Sequence, residues 1–118
     1  MKDKVFIKNL VVPCAIGVTK EEQAKRQNVI IDIEIFCDLS QAGTTDDLNK
    51  SISYAEVQEK VTEAVTSGEF KLLENLAQTL SSLILKNQLA SKVTVAIKKD
   101  KYGKNPMMGI EITRDRNG

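Results

Sequence analysis

Hydrophobic and polar positions along this chain alternate with period two in some stretches and repeat near every 3.6 residues in others, and their order predicts the fold. Residues 4–12 (KVFIKNLVV) mix β-branched and aromatic side chains and stop at Pro13, which cannot donate to a ladder, so they read as a strand. The stretch GVTKEEQAKRQ at 17–27 is polar, lacks alternation and reads as a loop with room for one helical turn. From Asn28 to Asp38, Val29, Ile31, Ile33, Ile35 and Cys37 share one face, while Ile30, Asp32, Glu34, Phe36 and Asp38 share the other. That is a strand with one face on a core.

Residues 39–52 (LSQAGTTDDLNKSI) are rich in turn formers and read as a long connection. Ser53 then opens Ser53-Tyr54-Ala55-Glu56, a capping box ahead of Val57, Val61, Ala64 and Val65 at helical spacing, with Gly68 as the stop. A second, stronger stripe runs through Leu72, Leu73, Leu76, Ala77, Leu80, Leu83 and Ile84 toward Leu89. Alternation returns at Val93, Val95 and Ile97 before the run 98–101, and again at Met108, Ile110 and Ile112 before Arg114. Residues 102–106 fit a hairpin connection between them. The expected order is ββααββ: a single α+β domain over 1–118, one antiparallel four-stranded sheet with two helices on one face. Such a sheet leaves a second face, with Ile30 and Phe36 among carboxylates, and two unpaired edges. Association through the edges is the expected remedy.

Composition narrows the chemistry. At 118 residues, with 42% hydrophobic and 28% charged positions, the chain is long enough for one core and too apolar to be disordered. Seventeen basic against sixteen acidic residues give a formal charge of +1, which offers no bulk attraction to nucleic acid or to an anionic membrane. No His and only two cysteines, Cys14 and Cys37, argue against a zinc site, a disulfide framework and histidine general-base catalysis. No apolar run approaches the roughly 20 residues needed to span a bilayer, and the charged start MKDKVFIKNL is unlike a secretory signal. A cytoplasmic, reduced protein is the expectation.

Four residues are candidates for chemistry. Lys99 continues the inward phase of Val93, Val95 and Ile97, so its stem should follow the core-side row; partial withdrawal from water would suit it to proton transfer, although a solvated hairpin tip is the plainer reading. Glu74 falls in the first turn of the second helix, where a carboxylate ordinarily serves the helix start but could also accept paired donors from a flat ligand edge. Tyr54, at the first position of the first helix, could pack quietly or present its hydroxyl. Glu22 lies in the charged loop, where solvent exposure is the usual fate.

Read together, these segments are similar to the dihydroneopterin aldolase family of folate biosynthesis. The residues that carry the resemblance are Ile16-Gly17-Val18 with Glu22 and Gln27, the strand NVIIDIEIFCDL, Asp46-Asp47-Leu48, Ser53-Tyr54, Leu72-Leu73-Glu74-Asn75-Leu76-Ala77, and Gly109-Ile110-Glu111-Ile112-Thr113-Arg114. They run from about Lys4 to Arg114, nearly the whole chain.

The resemblance implies a T-fold subunit in rings of four, commonly stacked as octamers, with active sites between subunits. It also implies a reaction without metal or cofactor, in which 7,8-dihydroneopterin is cleaved to 6-hydroxymethyl-7,8-dihydropterin and glycolaldehyde on the route to tetrahydrofolate. On that likeness Glu74, helped by backbone groups near Leu72 and Leu73, anchors the 2-amino and N3 hydrogens of the pterin. Lys99 resembles the general acid/base, Tyr54 a proton-shuttling phenol from a neighbouring subunit, and Glu22 the carboxylate that positions substrate and lysine. The family often places Pro directly after the lysine; here Asp100-Lys101-Tyr102-Gly103 follows, which leaves Lys98 and Lys101 as rivals, and strand phase selects Lys99. Two alternatives stand beside this reading. One is the sister enzyme that epimerises dihydroneopterin triphosphate, for which Lys20, Lys25, Arg26, Lys101 and Lys104 could meet the phosphates. The other is a non-catalytic pterin-binding ring.

Overall fold

The computed structural model describes residues 3–99 and 106–116. Its strands are β1 (Lys4–Ile16), β2 (Gln27–Phe36), β3 (Glu69–Phe70), β4 (Lys92–Lys99) and β5 (Met108–Asp115), and its helices α1 (Lys20–Ala24), α2 (Ser40–Thr45), α3 (Tyr54–Ser67) and α4 (Leu73–Ile84). The strand order is β3-β1-β2-β4-β5. The four long strands are antiparallel, as alternation predicted, but β3 adds a fifth, parallel to β1, through Ala15↔Glu69 and Ile16↔Phe70. The expected four-stranded antiparallel sheet is therefore a five-stranded mixed one. Two residues are too few to show alternation, so β3 left no trace in the pattern.

The core lies between one sheet face and the two long helices. Val29, Ile31, Ile33 and Ile35 of β2 and Val93, Val95 and Ile97 of β4 have no exposed surface, and they meet Val61 and Val65 of α3 and Leu76, Ala77 and Leu80 of α4. Each such side chain contributes roughly 1.5–3 kcal/mol on burial. In β1 the pattern is broken by a bulge: the register slips between Ile7 and Leu10, with Asn9 left-handed at φ 60° and its amide donating to Asp32 Oδ1 at 2.7 Å. The slip lets Val5 and Ile7 before it, and Leu10 and Val12 after it, all face the core.

Other boundaries moved for local reasons. β1 does not stop at Pro13 but continues to Ile16; Pro13 pairs with Asn28 where the outer side of β1 is still open, a position where a missing N–H is tolerated. The loop at 17–27 contains α1, and the connection at 39–52 contains α2 and a 3-10 turn at Leu48–Lys50. Ser53 caps α3 as expected, its hydroxyl accepting from the Glu56 amide at 3.2 Å, but the Glu56 carboxylate pairs with Lys60 at 2.9 Å. α4 ends at Ile84, leaving Leu89 outside it and partly exposed. On the far sheet face Ile30 and Phe36 are half-buried, with Lys92 Nζ 4.6 Å and Lys4 Nζ 5.8 Å from the centre of the Phe36 ring. No helix among the described residues is long and apolar enough to cross a membrane.

Candidate active site

Antiparallel register brings the C-terminal ends of β1 and β4 to the N-terminal end of β2. Cys14 pairs with Gln27, and Val29 pairs with both Val12 and Lys99. Lys99, the last residue of β4, thus stands in the core-side row expected of it and is half-buried. Cys14 is fully buried; its desolvation pushes the thiol pKa up, while the charges of Arg26 and then Lys99 act to lower it. Arg26 directly precedes β2 and Lys99 ends β4, so both residues stand at this end of the sheet.

A second strand of chain is tied to the same end. Beyond Ile16 the Gly17 amide donates to Phe70 O at 3.0 Å, so β3, and the residues Leu72, Leu73 and Glu74 that follow it, are held beside the end of β1. Leu72 is the extended N-cap residue of α4 and offers no side-chain cap, and Glu74 is exposed in the first turn. Gly17 is required where it stands. Its φ is +152°, and a Cβ added there would lie 2.2 Å from Glu22 Cβ. Glu22 is drawn over Gly17 by a capping box: its amide donates to Thr19 Oγ1 at 3.0 Å, and its Oε1 accepts from the Thr19 amide at 3.4 Å. The signature Thr19-x-x-Glu22 was available in the sequence and identifies a helix start within a stretch that otherwise reads as loop.

Gln27, named in the sequence only among the residues that carry the likeness, anchors the corner. Its Nε2 donates to Ile16 O at 3.0 Å, while its Oε1 is buried with no partner, the one such side-chain atom among the described residues. An orphaned acceptor of this kind suits a hydrogen-bond donor from a ligand. The structure therefore gathers Lys99, Glu22, Gln27, Leu72, Leu73 and Glu74 at one end of the sheet. It does not bring Tyr54 there. Tyr54 begins α3, whose other end leads through Gly68 into β3, so about 20 Å of helix separates it from that end of its own subunit. Tyr54 is 66% exposed. Asp100, Lys101, Tyr102, Gly103 and Lys104, the remainder of the hairpin tip, lie outside the described residues.

The FolB dihydroneopterin aldolase pattern matches residues 5–113. The chain belongs to the dihydroneopterin aldolase family. The dihydroneopterin aldolase of Bacillus subtilis is 35% identical to it over 119 aligned positions, covering 98% of this chain and 99% of that one. A solved structure of Escherichia coli dihydroneopterin aldolase in complex with neopterin superposes with a TM-score of 0.88 at 32% identity, over 95% of this chain and 98% of that one. The family also reaches a sister activity, since the E. coli dihydroneopterin triphosphate 2′-epimerase is 30% identical over 80% of this chain and 79% of its own length.

Proposed function

We propose that this aldolase cleaves 7,8-dihydroneopterin by retro-aldol chemistry in tetrahydrofolate biosynthesis, at a site shared between subunits of a ring of four or of two stacked rings. The observation that carries the reading is the division of the candidate residues. One end of the sheet holds Lys99, Glu22 and Glu74, while Tyr54 stands a helix length away and is exposed. A neighbouring copy supplying Tyr54 reconciles the two.

In this scheme Glu74 accepts hydrogen bonds from the 2-amino group and N3 of the pterin, with backbone groups at Leu72 and Leu73 completing the edge. Charge-assisted pairs of this geometry are strong and directional. Lys99, acting directly or through a water, takes the proton from the 2′-hydroxyl. The C1′–C2′ bond then breaks, its electrons pass into the N5=C6 imine, glycolaldehyde leaves, and C1′ regains a proton by way of Tyr54. No Schiff base to lysine and no metal is needed, because the pterin itself holds the electrons. Glu22 acts as a positioning residue through the turn it caps. The free, buried Cys14 and Cys37 fit a reducing cytoplasm.

A second reading, epimerisation of the triphosphate, is favoured by the 30% identity to that enzyme and by the exposed Lys20, Lys25 and Arg26. Incubating purified protein with dihydroneopterin and separately with its triphosphate, then separating the pterins, decides between them. Hydroxymethyldihydropterin and glycolaldehyde in equal amounts support the aldolase. A 2′-epimer without cleavage supports the sister reaction, and pterin binding without either product leaves a binding ring.

A further inference from the structure

Two polar side chains interrupt core-side rows that are otherwise apolar, and they do so at the same end of the sheet. In β2 the row is Gln27, Val29, Ile31, Ile33 and Ile35; in β4 it is Val93, Val95, Ile97 and Lys99. Val29 pairs with Lys99, so Gln27 lies one diagonal step from the lysine on the same face. Diagonal positions of an antiparallel pair stand about 7–8 Å apart, which a long side chain can cross.

The orientation of the Gln27 amide is fixed by its one bond. Ile16 O can only accept, so Nε2 is the atom 3.0 Å from it, and Oε1 is left as a buried acceptor without a partner. That bond does not explain why a glutamine stands here, because the end of β1 is held by others. The Gly17 amide donates to Phe70 O at 3.0 Å, and Gln23 Nε2 donates to Gly17 O at 3.1 Å. Lys99 has the complementary need. Its ammonium carries three donors, and the ion pairs among the described residues are those of Lys4, Lys8 and Lys60. A flexible stem leaves such a group poorly placed for proton transfer unless a fixed acceptor directs it.

We propose that Gln27 is a positioning residue for Lys99, its Oε1 accepting from the ammonium and so holding the amine where it meets the hydroxyls of the pterin side chain. The inference rests on the pterin reading above and deepens it. Gln27 acts through Lys99 and touches no reacting atom. An amide suits the task because it accepts from the ammonium without adding a charge of its own.

The test compares Gln27→Met, which removes both donor and acceptor, with Gln27→Glu, which loses the donor to Ile16 O but keeps an acceptor. Turnover of dihydroneopterin, neopterin affinity and denaturant midpoint are measured for each in the assembled full-length protein. Gln27→Met should lower kcat by about 10- to 100-fold, the worth of one hydrogen bond to a charged group, and change neopterin affinity by less than about threefold. Gln27→Glu should recover kcat to within about fivefold of the parent, although it too has lost the bond to Ile16. In a Lys99→Ala background, Gln27→Met should lower turnover no further, because the two residues act as a unit. Equal losses of kcat in Gln27→Met and Gln27→Glu would overturn the proposal, with Gln27→Glu the less stable, as a purely structural role requires. So would a loss confined to neopterin affinity, or additive losses in the double variant. If the parent chain forms no hydroxymethyldihydropterin, the pterin reading fails and this role with it; if the parent cleaves and Gln27→Met cleaves as fast, only the role of Gln27 fails.

Discussion

Lys99 is confined by its neighbours more than by its own chemistry. Its row in the sheet is Val12, Val29, Lys99 and Met108, so the aliphatic stem lies along the core edge at the end of the sheet where Cys14 pairs with Gln27. Lys99→Ala should lower turnover of dihydroneopterin by about 10²–10⁴-fold, the usual worth of a positioned acid/base, with less than threefold change in neopterin affinity by fluorescence titration. Glu74→Ala should do the reverse, raising the neopterin dissociation constant by roughly 100-fold through two lost charge-assisted bonds of about 1.5 kcal/mol each. A residue with a purely structural role at Glu34 offers a contrast. Its pKa is lowered, first by the hydrogen bond from Lys4 and then by Lys8, whose Nζ lies 3.6 Å away. A lowered folded-state pKa means that stability is full above the ordinary carboxylate range and is lost as pH falls through the folded value. Denaturant midpoints of Glu34→Gln should fall below the parent by the equivalent of about 0.5–1 kcal/mol at neutral pH, and the difference should close in strong acid.

At the scale of elements, the turn from β1 into α1 decides where Glu22 goes. Gly17→Ala would drive a Cβ into Glu22 at 2.2 Å on a backbone at φ +152°, so it should lower stability by roughly 1–3 kcal/mol and displace the carboxylate. Thr19→Ala removes only the cap and should cost about 1 kcal/mol. If Glu22 positions the site, both variants should alter kcat/KM beyond what their melting temperatures account for, and Gly17→Ala the more. The two long helices and four long strands were legible because each repeats its pattern over several residues: the stripe from Leu76 to Ile84, or the run from Val29 to Ile35, admits one periodicity only. α2 was not legible, since SQAGTT carries turn formers and its start depends on Asp38, which accepts from the Ser40 amide at 2.9 Å and from its hydroxyl at 2.6 Å. Nor was β3, whose two residues are strand only because the end of β1 lies beside them.

For the whole molecule the decisive experiment is complementation. Tyr54→Phe and Lys99→Ala oligomers should each be nearly inactive. Co-assembled in equal amounts, they should recover roughly a quarter of the parent activity, because one site in four then draws an intact Tyr54 and an intact Lys99 from different copies. No recovery would mean that each site draws Tyr54 and Lys99 from the same copy. Sequence alone determined the order of the long elements, their core faces and the inward phase of Lys99, because these follow from periodicity, and periodicity is local. Only the tertiary structure decided that Gln27 ends with an orphaned oxygen, that β3 ties Leu72, Leu73 and Glu74 beside the end of β1, and that Tyr54 stands a helix length from that end. Each of those depends on which strand ends meet, a matter settled by register and packing between residues far apart in the chain.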